Sequence, residues 1–120
     1  MATFSKQILS GSTDGKGVLV AATATAGTLI HTASTTTTTL DEVWLYAVNT
    51  SASDVKLTIE WGEATAPNGN IEYTVKAENG LYLIVSGLLL KGNATALTVR
   101  AFAATSNVIV LHGYVNRIAV

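Results

Sequence analysis

Few residues in this chain carry chemistry: two histidines, His31 and His112, and eight carboxylates, Asp14, Asp41, Glu42, Asp54, Glu60, Glu63, Glu72 and Glu78. An imidazole that holds zinc or activates a nucleophile needs further ligands or an orienting carboxylate close in space. His31 lies in TLIHTA and His112 in NVIVLHGYV, apolar strand-like runs with no such partner nearby in sequence. Most carboxylates fall on the polar side of alternating runs or in turns, and an acid/base pair for glycoside hydrolysis depends on a separation in space that sequence does not give. There is no cysteine, which removes disulfides, thiolate metal sites and thiol nucleophiles together. The segment GSTDGKG (11–17) misses the phosphate-binding loop: that loop has four residues between its glycines, a Ser or Thr after the Lys, and a helix to follow. Here three residues separate Gly11 from Gly15, Gly17 follows Lys16, and a strand-like run comes next, so the segment reads as a turn. Asn49-Thr50-Ser51 and Asn93-Ala94-Thr95 match glycosylation acceptors, yet without a secretory signal they too read as turns. The expectation is a protein with no catalytic residue, no cofactor and no metal.

Six aromatic residues, Trp44, Tyr46, Trp61, Tyr73, Tyr82 and Tyr114, have two uses. Sugar-binding β-sandwiches expose such rings as platforms, while packed sheets and subunit interfaces use them as bulk. Trp61 is on the apolar side of its alternating run and is expected in the core. Trp44 or Tyr46 must stand on the other side from Val43, Leu45 and Ala47, which makes them interface candidates.

The elements that position these residues are strands. Within DEVWLYAVNTSASDVKLTIEWG (41–62), Val55, Leu57, Ile59 and Trp61 alternate with Asp54, Lys56, Thr58 and Glu60, the period-two pattern of a half-buried strand. Val43 to Val48 do not alternate: both faces are apolar, so one can meet the domain's own core and the other needs a second cover. Residues 1–16 are polar and read as an N-terminal arm or loop. From Gly17 onward eight β-type runs follow, GVLVAAT, TLIHTA, EVWLYAV, VKLTIEW, IEYTVKA, LYLIVSGLLL, ALTVRAFA and NVIVLHGYVNRIAV, separated by turn residues, with one Pro in the chain and no helical period. Asn79-Gly80 predicts a type I′ hairpin between Ile71–Ala77 and the run from Leu81. Gly87 predicts a break or a bend in LYLIVSGLLL. The run TTTTT (35–39) resists helix and predicts an exposed edge or loop. The fold class expected is all-β: a single-domain sandwich of residues 17–120, jelly-roll-like, with about eight antiparallel strands.

Charged residues are 12% of the 120, about half the roughly 25% usual for soluble domains, while 48% are hydrophobic. Mean hydropathy is +0.39. So apolar a small domain is expected to bury part of its surface against other chains. The two-sided runs Val43–Val48 and Leu81–Leu90, with Asn107–Val120 as a third, are the expected contact regions, and Trp44, Tyr46, Val48, Leu81, Leu83, Leu88, Leu90 and Tyr114 the expected interface residues. Net charge is −1 and the seven basic residues are scattered, so no nucleic-acid partner is expected. No apolar run approaches a membrane span, and the start lacks the order of a signal peptide, which points to synthesis in the cytoplasm.

The combination of KQILSGSTDGKGVLVAATATAGTLIHTA, DEVWLYAVNTSASDVKLTIEWG, IEYTVKAENGLYLIVSGLLLKG and VRAFAATSNVIVLHGYVNRIA resembles the capsid decoration (cement) proteins of tailed phages, over nearly the whole chain. The motifs are strand and turn patterns without a catalytic signature. The resemblance implies a jelly-roll-like virion protein that binds the outside of an icosahedral head, meets the major capsid protein, reinforces contacts between capsomers and favours a homotrimer. The polar arm would then order on the capsid. A carbohydrate- or receptor-binding module, such as a tail-fibre tip or lectin, is the alternative.

Overall fold

A computed structural model describes residues 2–120, and among them it contains nine strands and no helix: β1 (Thr3–Ile8), β2 (Val18–Leu19), β3 (Thr28–Thr32), β4 (Thr39–Asn49), β5 (Val55–Trp61), β6 (Asn70–Val75), β7 (Tyr82–Lys91), β8 (Thr98–Ala103) and β9 (Ile109–Ala119). Each of the eight runs read from sequence supplies one strand. All pairings are antiparallel. The first sheet has the order β1–β9–β4–β7, with β2 also on β9, and the second has the order β3–β8–β5–β6. Their inner faces meet in one core, to which β4 gives Val43, Leu45 and Ala47, β5 gives Val55, Leu57 and Ile59, and β9 gives Ile109, Leu111 and Val115. The chain is thus a single-domain β-sandwich.

Three local expectations change. Residues 3–8 are not a loop: they pair with β9 along their whole length, from Thr3 opposite Ala119 to Ile8 opposite Tyr114. Five of the six side chains are exposed, so the backbone ladder on the free edge of β9 supplies what apolar burial does not, and the segment orders on its own chain rather than on a partner. The Asn79-Gly80 hairpin is not formed, because β6 and β7 belong to different sheets. Positive φ falls at Glu78 (54°) and Gly80 (70°), and the Glu78 N–H donates to the Asn49 carbonyl at 2.8 Å, making a corner. β6 pairs instead with β5, which sets polar side chains together: Lys56 lies opposite Thr74 and forms an ion pair with Glu72 at 3.1 Å. Finally, β7 is not split. Successive residues of β4 pair with Leu88 and then Ser86, and with Val85 and then Leu83, which leaves Gly87 and Ile84 as bulged residues within one continuous strand.

Gly87 is required twice over. Its φ is +82°, and a Cβ there would lie 3.0 Å from Cζ2 of Trp44 on β4. Asn49 closes the corner between the sheets in a similar economy of space: its Nδ2 donates to the carbonyls of Ser53 and Val75, both at 2.9 Å, while its Oδ1 accepts from the Ser51 N–H at 3.0 Å and hydroxyl at 2.7 Å. The acceptor motif at Asn49 is therefore a buried structural turn.

Gly87→Ala should cost about 1–3 kcal/mol through its left-handed backbone and the Trp44 contact. Urea denaturation followed by Trp fluorescence checks this, and an unchanged midpoint would contradict the packing described.

Candidate functional site

Two arrangements bring together residues of functional type, one inside the sandwich and one on its surface. Inside, Asp41 of β4 lies opposite Arg117 of β9. Arg117 grips it with two donors, Nε to Oδ1 at 2.7 Å and Nη2 to Oδ2 at 2.8 Å. His31, from β3 in the other sheet, lies 2.8 Å from Oδ2 through Nε2. The Ser10 N–H donates to His31 Nδ1 at 3.1 Å, which fixes the tautomer: Nδ1 is the acceptor and Nε2–H points at Asp41. Sequence spacing had given His31 no carboxylate; the sandwich supplies one from ten residues away, across the core.

Ser, His and Asp thus meet, but not as a nucleophilic triad. Ser10 offers His31 its backbone N–H, and its hydroxyl accepts from the Thr32 N–H at 2.6 Å. No imidazole nitrogen is left to take a proton from that hydroxyl. The cluster is a cross-sheet tie. Burial pushes the Asp41 carboxyl up, but the hydrogen bonds from Arg117 and His31 and the nearby positive charge outweigh it and hold the pKa below the usual carboxylate value.

The other candidates stay apart. Glu60 is buried on the far sheet, where it accepts from the Thr25 hydroxyl at 2.5 Å and the Gly27 N–H at 2.7 Å. His112 is on the outer face of the first sheet, opposite Tyr46 and against Gly17. Among the described residues no group of three or more His, Cys, Asp or Glu is placed to hold a metal ion. Segment 11–17 is a turn leading into β2, with Asp14 (φ 56°) and Gly15 (φ 84°) in the left-handed region.

The surface arrangement is the outer face of the first sheet. β4 alternates strictly, with Asp41, Val43, Leu45 and Ala47 buried and Leu40, Glu42, Trp44, Tyr46 and Val48 on the outside. Register sets Ile118, Asn116, Tyr114, His112 and Val110 of β9 beside those five. Phe4, Lys6 and Ile8 of β1 continue the face on one side, and Leu83 and Leu89 of β7 on the other. The expected second apolar face of Val43–Val48 is therefore real, and neighbouring strands cover it only by half. Trp44 and Tyr114 stack with ring centroids 6.0 Å apart and planes 7° from parallel. Gly87 closes the other side of the indole, and Lys6 Nζ lies 4.8 Å from the Tyr114 centroid. Glu42 accepts from Trp44 Nε1 at 2.7 Å and Asn116 Nδ2 at 2.9 Å, and these bonds hold its carboxyl below the usual range. A shallow depression of about 320 Å³ lies here between Phe4, Lys6, Glu42 and Ile118. The outward side of the second sheet is more polar: Lys56, Glu72, Thr74 and Arg100 share it with Phe102 and Leu29, while Thr58 and Glu60 on the same side are buried, Glu60 beneath the segment that holds Thr25 and Gly27.

Of the expected interface residues, Trp44, Tyr46, Val48 and Tyr114 are half-buried on the outer face, and Leu81, Leu83 and Leu88 are exposed along β7 or just before it. Leu90 is corrected: it lies opposite Asp41, points inward and is 5% exposed, a core residue. Phe4, Ile8, Leu19 and Leu89 are exposed apolar residues not singled out from sequence. The signal for the first two was present as Phe4-x-Lys6-x-Ile8, an alternation hidden by its polar surroundings. No protein-family model, curated protein or solved structure matches the chain.

The Asp41 carboxyl has a lower pKa folded than unfolded, so its stabilisation is complete above the unfolded value of about 3.9 and is lost as pH falls below it, through the folded value. Asp41→Asn should cost about 3 kcal/mol at pH 7, leaving Arg117 without its partner. The difference in urea midpoint between the two proteins should shrink below about pH 4; a difference that stays constant down to pH 2 would show that the carboxylate charge is not what matters.

Proposed function

We propose that the protein is a non-enzymatic structural component of a phage virion, a decoration protein that coats the outer surface of the capsid and reinforces contacts between capsomers. The observation that carries this reading is the contrast between its two outer faces. The outer face of the second sheet exposes no large apolar side chain; that of the first, although it also holds Lys6, Glu42, His112 and Asn116, exposes Phe4, Ile8, Leu83 and Leu89 around the stacked Trp44 and Tyr114, as a face that lies on another protein surface does. Low overall charge is consistent with a subunit whose surface is largely covered in an assembly. The resemblance to decoration proteins supplies the capsid surface as the partner and a homotrimer as the favoured oligomer. The strand orders β2–β9–β4–β7 and β3–β8–β5–β6 support the jelly-roll reading of the sandwich.

Such a function needs no chemistry. A subunit that binds the assembled shell and not its free components stabilises the shell by mass action alone. The sugar-platform alternative fits less well, since the Trp44 ring is flanked by Gly87 and by the offset-stacked Tyr114 and is half-buried between them.

Tyr46→Glu combined with Val48→Glu should abolish occupancy on empty shells of the phage that encodes the protein, measured by co-sedimentation. Thr74→Glu with Thr98→Glu on the other sheet should leave it within about twofold, because surface substitutions away from a contact cost little. Equal loss from both pairs, or from neither, would defeat the assignment of the face.

A further inference from the structure

Tyr73 of β6 and Tyr82 of β7 lie face to face, with ring centroids 4.9 Å apart and planes 10° from parallel. The two strands are margins of different sheets: β6 pairs only with β5, and β7 only with β4. Tyr82 lies opposite the core residue Ala47, so its ring turns inward, and Tyr73 packs against the core from the other sheet. The stack therefore spans the flank of the sandwich where the edges of the two sheets meet. That flank is open. Tyr82 is 40% exposed, Tyr73 is half-buried, and a Cβ added at Gly80, in the corner between the strands, would meet nothing within 4 Å. The neighbouring Tyr82 hydroxyl, with partial desolvation second, holds the Tyr73 phenol above its usual pKa. The two hydroxyls, and the ring carbons ortho to them, are thus at the same end of the stack.

We propose that Tyr73 and Tyr82 form a site of oxidative modification, at which a one-electron oxidant of the peroxidase class joins the two rings as dityrosine and ties the second sheet covalently to the first. Each phenol gives up one electron and one proton to the oxidant, and the two phenoxyl radicals form a carbon-carbon bond between ortho positions. The hydrogens on those carbons then move to the oxygens, and both rings are aromatic again. Hydrogen peroxide, the terminal oxidant, takes up the two electrons and two protons and leaves as two waters.

Proximity selects this pair, because radicals held together couple before they meet a partner by diffusion. The other two tyrosines, Tyr46 and Tyr114, stand diagonally on β4 and β9, and Tyr114 is stacked on Trp44 instead, at 6.0 Å. Stacked rings have to turn before their ortho carbons bond, and the open side of Tyr82 gives that ring the room. The chain has no cysteine, so a covalent tie between its sheets has to use another chemistry. A link from Tyr73 to Tyr82 closes the corner at residues 76–81 and restricts the unfolded chain, as a disulfide does. All of these contacts lie within one chain, so the tie forms whether or not the protein coats a capsid.

Hydrogen peroxide with a haem peroxidase, added to the purified full chain at low protein concentration, should give dityrosine fluorescence and a mass lower by two hydrogens. The product should run as a single chain on a denaturing gel, and digestion should yield one joined fragment carrying Tyr73 and Tyr82. Its urea midpoint should exceed that of the untreated protein. Tyr73→Phe and Tyr82→Phe keep the ring stack and should fold with the circular dichroism spectrum of the wild type, yet each should lose about tenfold in fluorescence yield, whereas Tyr114→Phe should keep it. Links only between chains, a link at Tyr46 or Tyr114, no dityrosine while free tyrosine in the same solution is oxidised, or a midpoint that does not rise would each overturn the proposal.

Discussion

A carboxylate inside an apolar sandwich is tolerated only when its charge is matched, since the desolvation penalty is several kcal/mol per ion. Asp41 meets that condition through the two-pronged grip of Arg117 and the imidazole of His31. Much of the architecture follows. A one-residue slip of β9 along β4 would turn Arg117 outward and leave the carboxylate alone, so the cluster pins the register of the two longest strands. His31 belongs to the other sheet and Ser10 to the connection after β1, so the same cluster fixes how the sheets lie on each other and where the chain leaves the first strand.

That register also decides what faces outward. With Asp41 opposite Arg117, Trp44 falls beside Tyr114, Tyr46 beside His112 and Val48 beside Val110. The outer face gathers aromatic and apolar side chains around Glu42, Asn116 and His112, and the bulge at Gly87 makes room for the indole. Leucines gather on β7 at one margin of this face and Phe4 and Ile8 at the other, while ion pairs and hydroxyls collect on the opposite sheet. A buried salt bridge and an exposed greasy surface are thus two results of one strand pairing.

Local pattern was enough for eight of the nine strands, β2 to β9. β5 was legible because apolar and polar residues alternate through VKLTIEW, and the two-sided character of β4 was legible because its alternation fails. Partnership between strands was not. Asn79-Gly80 has the composition of a hairpin turn, but composition does not say whether the chain folds back in its own sheet or crosses to the other. β1 escaped because its hold on β9 is made by backbone groups that every residue has. The Asp41–Arg117–His31 cluster joins residues up to 86 positions apart, and nothing local marks them as partners. The outer face was partly legible: Trp44 and Tyr46 follow from the doubled apolar pattern of β4, while Leu90 faces the core because the bulge at Gly87 resets which leucines point inward.

β9 pairs with β1, β2 and β4, so the earliest strands in the chain have their place only beside the latest. Contacts of such sequence separation close slowly. During synthesis the first sheet cannot assemble until β9 has emerged, and until then the leucines of β7 and the edge of β4 stand open to other nascent chains. Removing β9 would therefore do more than shorten the protein. It would leave three strands without their neighbour, and a nascent chain stalled before that point would be a seed for aggregation rather than a partly folded subunit.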